Sequence, residues 1–291
     1  MPFNNNRKLV AIASGKGGTG KTTVAVNLAL MAVNKGISVT YADCDVEAPN
    51  GHIFLKPRVD QTIPVEMPVP EVDQEKCITC GKCEEICQYN AILLIGENVL
   101  VYPDLCHSCG GCMLACPAGA ISEIPRPIGK VETGKSGNDL KIVQGNLNIG
   151  EKLAPPLIRS VKDRLPAEGL ILLDAPPGTS CPVVETVKDA DYTLLVTEPT
   201  PFGLHDLTLA VGMMRALEQP FGVVLNRSDA GSDETLKYLE SEQIPILAEL
   251  PADRSVAETY SKGVPTIEAL PLFRKLYEEL LKTILDRVGT G

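Results

Sequence analysis

Residues 8–36 read KLVAIASGKGGTGKTTVAVNLALMAVNKG. A short apolar run ends at a glycine-rich loop, and a helix-forming pattern then extends from Thr22 to Lys35 until Gly36 stops it. The loop Gly15-KGGT-Gly20-Lys21-Thr22 fits G-x-x-x-x-G-K-[ST], and it sits between a strand and a helix as that motif requires. The backbone N–H groups of Gly15, Lys16, Gly17, Gly18, Thr19 and Gly20 are expected to close around phosphate oxygens. The first helical turn, which includes Thr23, adds the positive end of its dipole. Lys21 is expected to reach the β- and γ-phosphates and Thr22 to ligate magnesium, so the predicted ligands are ATP and Mg2+.

Outward from this loop the chain keeps an α/β rhythm. Ile37 to Ala42 reads as a second strand followed by Asp43 and Asp45 at its C-terminal edge, and the β-α-β order implies a parallel sheet with a right-handed crossover. Further on, Asp139 to Gln144 is expected as a strand, Pro156 to Arg164 as a helix, and Gly169 to Leu173 as a buried strand that delivers Asp174 to the metal. The turn Ala175-Pro-Pro-Gly178 follows, with the Gly178 N–H placed to sense a γ-phosphate. Tyr192 to Thr197, Phe221 to Leu225 and Ile246 to Ala248 complete the strands, and Pro271 to Val288 carries an apolar helical stripe that includes Leu272, Phe273, Tyr277 and Leu280.

Composition narrows the function. The 291 residues carry 27 basic and 37 acidic side chains, a net charge of −10, which argues against a nucleic-acid partner. No apolar run approaches the roughly 18 residues of a membrane helix, and the start MPFNNNRKLV lacks a signal-peptide core, so a cytoplasmic protein is expected. In that compartment ten cysteines point to metal or redox chemistry rather than disulfides.

Eight of the ten fall between Cys77 and Cys116, after a stretch broken by Pro57, Pro64, Pro68 and Pro70 where the α/β rhythm stops. Cys77-Cys80-Cys83-Cys87 recurs 29 positions later as Cys106-Cys109-Cys112-Cys116, and the flanks repeat as Cys87-QYNAI and Cys116-PAGAI. Each half is C-x2-C-x2-C-x3-C, the pattern of bacterial two-cluster ferredoxins, in which the fourth cysteine serves the other cluster. The expected ligand sets for two 4Fe–4S clusters are therefore Cys77, Cys80, Cys83 and Cys116, and Cys106, Cys109, Cys112 and Cys87. Zinc takes paired C-x2-C knuckles and needs no such crossed repeat. Gln88 replaces the proline that follows the fourth cysteine in the second half, and His107 reads as a neighbour of the ligands rather than one of them. The predicted organisation is a nucleotide-binding α/β domain at 1–66 and 127–291, with helices on both faces of its sheet, and an inserted small α+β ferredoxin-like domain at 67–126.

Lys16-GGTG-Lys21-Thr22 resembles the deviant phosphate loop of the family that includes the Min division-site ATPase, the partition ATPases, the nitrogenase iron protein and the Mrp-type iron–sulfur carriers. The resemblance extends over residues 7–56 and 127–288. It implies an ATP-dependent homodimer in which Lys16 reaches the partner's phosphate, Asp45 orients the attacking water, Asp43 stands near the magnesium shell or else caps a turn, and Asn226 reads adenine or else forms a turn. Cys181, seven residues after Asp174, is either a ligand or redox contact or a structural thiol, and Cys44 reads as a core residue.

These readings predict an ATPase that couples nucleotide state to cluster chemistry on a protein client, by delivering a cluster or metal cofactor or by donating electrons. The alternative is a positioning or scaffold ATPase of the Min type with structural or redox-sensing clusters. An amidoligase would need a separate substrate domain. Attachment to a membrane through the last helix would require a strongly basic face, and its charges are nearly balanced.

Overall fold

The computed structural model describes residues 7–289. Residues 1–6, most of the stretch read above as lacking a leader core, lie outside the described residues, as do 290–291. The eleven strands are β1 (Arg7–Ala13), β2 (Val39–Asp43), β3 (Arg58–Val72), β4 (Ile92–Ile95), β5 (Asn98–Val101), β6 (Ile121–Ser136), β7 (Leu140–Leu147), β8 (Gly169–Asp174), β9 (Tyr192–Thr197), β10 (Phe221–Asn226) and β11 (Ile246–Leu250). Nine of them form one sheet in the order β11-β10-β9-β1-β8-β2-β7-β6-β3. From β11 to β7 every neighbouring pair is parallel, while β6 runs antiparallel to both β7 and β3.

The helices are α1 (Lys21–Asn34), α2 (Gly51–Leu55), α3 (Lys82–Ile86), α4 (Gly111–Ala115), α5 (Ala154–Lys162), α6 (Cys181–Val187), α7 (Pro201–Ala216), α8 (Glu234–Ser241), α9 (Arg254–Ser261), α10 (Thr266–Ala269) and α11 (Pro271–Val288). Those of the main body cover both faces of the sheet, so its central strands are buried on both faces and mainly apolar rather than alternating. β1 shows why: Leu9, Ala11 and Ala13 enter a core with Leu157 of α5, Val183 of α6 and Leu207 of α7, while Val10 and Ile12 enter a second core with Leu28 of α1 and Tyr277 of α11. Each large side chain so buried is worth about 1.5–3 kcal/mol. α11 is a core helix that buries Phe273, Tyr277, Leu280, Leu281, Ile284 and Val288, although Leu272 at its first turn is exposed.

The proline-broken stretch is the main departure from the expected layout. Pro64, Pro68 and Pro70 lie inside the 15-residue strand β3. They are tolerated because β3 is the sheet's edge and pairs only with β6, so a missing N–H can face away from the ladder. On β6, pairing to β7 covers residues 129–136, whereas Ile121–Pro127 pairs with β3 alone. The outer half of this hairpin is thus a two-stranded ribbon that leaves the sheet, and the cysteine segment hangs between Val72 and Ile121. That segment contains α3, α4 and the small antiparallel pair β4-β5.

Candidate functional site

β1 feeds directly into the phosphate loop, and the parallel order places the ends of β2, β8 and β10 along the same sheet edge. Gly18 and Gly20 take φ of +80° and +94°, the left-handed region that favours glycine. A Cβ at Gly20 would also overlap the side-chain amide of Asn226, and one at Gly15 would overlap the backbone of Asp206 in α7. The loop is therefore fixed from outside as well as by its own sequence.

A cleft of about 610 Å³ opens at this edge, a volume suited to a nucleotide. At one end it is lined by Gly17, Gly18, Gly20, Lys21, Thr22 and Thr23, with Asp45 and Asn226 beside them. The rest of the lining sets apolar and aromatic residues, Pro251, Val256, Tyr260, Phe273 and Tyr277, beside the charged Arg227, Asp253 and Arg254. Sequence reading did not place the three aromatic residues at the site, because they come from α9 and α11, whose patterns look like ordinary packing faces.

Two buried carboxylates face each other behind the loop. Asp174, at the end of β8, is fully buried, and its Oδ1 has no hydrogen-bond partner and lies 4.0 Å from Lys21 Nζ. Its Oδ2 accepts from the Tyr41 hydroxyl at 2.9 Å. Burial raises its pKa against the opposing pull of Lys21, Thr22 and Tyr41. An orphaned carboxylate oxygen beside a loop threonine is a hard donor set that suits magnesium. The Thr19 hydroxyl is likewise buried without a partner.

Asp43, on the adjacent strand, has a different job. Its Oδ1 accepts from the Asp45 N–H at 3.2 Å, and its Oδ2 from Asn50 at 3.2 Å and Gly51 at 3.1 Å. Both oxygens are engaged by backbone, so Asp43 holds the turn leading into α2. Burial, with Asp174 adding to it, raises its pKa well above its ordinary value. Asp45 is less enclosed and lines the cleft, and burial lifts its pKa to about 6 although Lys21 pulls the other way.

Lys16 is half-buried, does not line the cleft and makes no ion pair among the described residues. The Gly178 N–H donates to the Ser14 carbonyl at 3.0 Å, which ties the turn after β8 to the end of β1. Asn226 lines the cleft, but its amide donates to the Thr19 carbonyl at 2.8 Å, so it braces the phosphate loop. Cys44 is buried in the core, and Cys181 is exposed as the first residue of α6.

In the segment between β3 and β6 the sequence repeat is also a repeat of backbone. Thr79 and Ser108 have φ of 51° and 53°, Gly81 and Gly110 of 73° and 69°, and Asn90 and Gly119 of 52° and 60°. α3 and α4 match with the same offset. These turns wrap two cavities. One is lined by Cys77, Cys80, Cys83 and Cys116, and the other by Cys87, Cys106, Cys109 and Cys112. Each quartet thus takes three cysteines from one repeat and one from the other.

Backbone N–H groups point at the sulfurs in the same repeated way. Thr79 donates to Cys77 Sγ at 3.4 Å and Ser108 to Cys106 Sγ at 3.3 Å, while Ala91 and Ala120 donate to Cys87 and Cys116, both at 3.3 Å. Among the described residues no group of His, Cys, Asp or Glu side chains is arranged for a single metal ion. The donor set is soft sulfur around a cavity, with amide dipoles aimed at it, a chemistry that suits iron–sulfur ligation.

Comparison with known proteins places this geometry in context. A family model described as the CobQ/CobB/MinD/ParA nucleotide binding domain matches residues 10–267. The chain is 30% identical over 281 residues to an uncharacterized protein of Methanocaldococcus jannaschii, covering 95% of this chain and 97% of that one. It is 24% identical over 312 residues to an iron-sulfur cluster carrier protein of Pyrococcus furiosus, covering 97% and 88% of the two chains. Among solved structures, the cell division ATPase MinD of Pyrococcus furiosus superposes with a TM-score of 0.56 at 22% identity, over 96% of this chain and 98% of that one, a likeness of fold. Among the described residues no helix is long and apolar enough to cross a membrane.

Proposed function

We infer the function from one premise: this chain belongs to the CobQ/CobB/MinD/ParA nucleotide-binding family, whose domain spans residues 10–267. On that footing it is an ATPase whose nucleotide state governs the iron–sulfur chemistry of the module carried on its β3-β6 ribbon. The observation that carries this reading is the pair of crossed cysteine quartets, each around its own cavity, on a ribbon continuous with the nucleotide-binding sheet. The 24% identity to an iron–sulfur cluster carrier protein supports it.

The residues divide the work. Lys21 and the loop amides hold the β- and γ-phosphates, and Thr22 and Asp174 hold magnesium, which neutralises charge that develops on the phosphate oxygens. Asp45 orients a water in line with the γ-phosphorus, and the bond from phosphorus to the bridging oxygen breaks as the new one forms, giving ADP and phosphate. Lys16 extends to the phosphates of a second copy in an ATP-dependent homodimer. The cysteine quartets hold two 4Fe–4S clusters, which supply one-electron chemistry or the cargo itself. Asp43 connects the two halves: it fixes Asp45 on the nucleotide side, and it holds the backbone of Asn50 and Gly51 where the chain turns toward β3.

The test is anaerobic reconstitution of the full chain followed by assay of iron and acid-labile sulfide, with about eight irons per chain expected for two cubanes. The loaded protein is then mixed with an apo-ferredoxin acceptor under ATP or ADP. Iron appearing in the acceptor at nucleotide-dependent rates marks delivery, and, with the loaded protein first reduced by dithionite and freed of excess reductant, reduction of a cluster-loaded acceptor marks electron donation. A folded chain that takes up no iron, or one indifferent to nucleotide in both assays, overturns the reading.

A further inference from the structure

The two cysteine cages are built alike, which makes their differences informative. Position for position, 29 residues apart, the same sites line both: Cys77 with Cys106, Gly81 with Gly110, Ala120 with Ala91. The amide donors to sulfur correspond as well, at nearly equal distances. Cage one is walled by Ile78 and Ala118. At the equivalent places in cage two stand His107 and Tyr89. Their rings stack with centroids 3.6 Å apart and planes 8° from parallel, which is the module's one aromatic stack among the described residues. A third exchange concerns the residue facing the positive-φ glycine: Leu94 lies 3.7 Å from a Cβ built on Gly81, and a carboxylate oxygen of Glu123 lies 3.7 Å from one built on Gly110.

We propose that the two cages hold clusters of unequal reduction potential, and that the stacked Tyr89–His107 pair raises the potential of the one in cage two. The inference rests on the reading that the quartets hold 4Fe–4S clusters. Its physics is general: with cysteine ligation and amide donors matched, potential is set by the remaining charges, dipoles and solvent access around the cluster. Ile78 and Ala118 give cage one no dipole. An imidazole and a phenol at the wall of cage two supply polar donors that stabilise the additional negative charge of the reduced form. Stacking holds both rings in one orientation, so that stabilisation does not average out. Glu123 works in the opposite direction; it is exposed, as Tyr89 and His107 are, so solvent weakens all three, but only the stacked rings are held in a fixed orientation.

The asymmetry has a direction in the fold. Cage two is also lined by Pro70 and Glu123, and cage one by Val72 and Ile121, two residues farther out along the ribbon. An electron that enters the module therefore settles at the cage nearer the ATPase sheet.

The test is an anaerobic redox titration of the reconstituted full chain followed by electron paramagnetic resonance, with the iron assay run first on every sample. Two neighbouring clusters repel each other's electrons even when identical, so the variants carry the decision rather than the wild-type separation. Tyr89→Ala with His107→Ile gives cage two the lining of cage one, and the upper step is expected to move down toward the lower one at unchanged iron content. The reciprocal pair Ile78→His with Ala118→Tyr is expected to move the lower step up, and it decides the matter should the first pair lose its iron. Glu123→Leu is expected to raise the upper step slightly. Full iron content with both steps unmoved in the two double variants overturns this inference and leaves the cluster reading standing. A wild-type chain that takes up no iron overturns both.

Discussion

The side-chain amide of Asn226 donates to the backbone carbonyl of Thr19 at 2.8 Å, so the last residue of β10 is tied to the middle of the phosphate loop. Its Oδ1 accepts from the Arg227 N–H at 3.1 Å, so each end of the amide already holds one backbone partner. Asn226→Ala is expected to unpair a loop carbonyl and loosen the loop at a cost of about 1–2 kcal/mol. ATP and GTP should then bind roughly tenfold more weakly, by the same factor, when titrated against fluorescent analogues. A residue that read adenine would instead lose discrimination between the two, so an altered ATP-to-GTP ratio in this variant contradicts the bracing role.

The water-orienting role proposed for Asp45 predicts an acid limb for turnover. With burial lifting its pKa to about 6, the carboxylate needed to orient water is present at neutral pH and is lost as pH falls through that value. The kcat/KM for ATP should be half-maximal near pH 6 and drop about tenfold per unit below it. Asp45→Asn should leave a small residual rate that is flat across the same range. An acid limb that persists in the variant assigns it to another group.

Much of this was legible in the chain because the loop and the cysteine repeat are local. Gly15 to Thr22 needs its strand and helix only as neighbours in sequence, and the crossed quartets follow from two identical spacings. What the sequence did not disclose is relational. β3 reads as broken by Pro64, Pro68 and Pro70 until its place at the sheet edge makes those residues tolerable. The aromatic lining of the cleft comes from Tyr260, Phe273 and Tyr277, brought there by helices from the far end of the chain. Asp43 and Asn226 were located correctly at strand ends, but only the structure shows their carboxylate and amide already engaged by backbone.

Arg126 and Glu151 anchor the ribbon to the body. Arg126, on β6, meets Glu151 at 2.6 Å and Asp104 of the cysteine segment at 3.4 Å, and the Glu151 side chain is only 3% exposed. Burial by itself would lift the Glu151 pKa, yet the Arg126 hydrogen bond and the N–H groups of Leu153 and Lys152 override it and hold the carboxyl below its ordinary value. A depressed carboxylate contributes stability that is complete above the unfolded-state pKa and disappears as pH falls through the folded one. Glu151→Gln should therefore lower the unfolding free energy by about 2 kcal/mol at pH 7, and the deficit should shrink in acid, as followed by chemical denaturation. An equal deficit at all pH values removes the ion pair from the explanation.

Gly15 fails as alanine for a reason its place in the motif does not reveal. A Cβ there would overlap the backbone carbonyl of Asp206, so Gly15→Ala must push α7 off the loop. The expected cost is about 1–3 kcal/mol, seen as a melting temperature lower by roughly 5 °C. Gly18→Ala meets no atom, and its penalty comes only from φ of +80°, about 1–2 kcal/mol. The two can be told apart through the neighbour: Asp206→Gly in the Gly15→Ala background removes the Asp206 Cβ at 2.8 Å but keeps the carbonyl oxygen and carbon, which lie closer still, so it should not restore stability. Recovery in that double variant would place the clash on the side chain and refute the backbone contact.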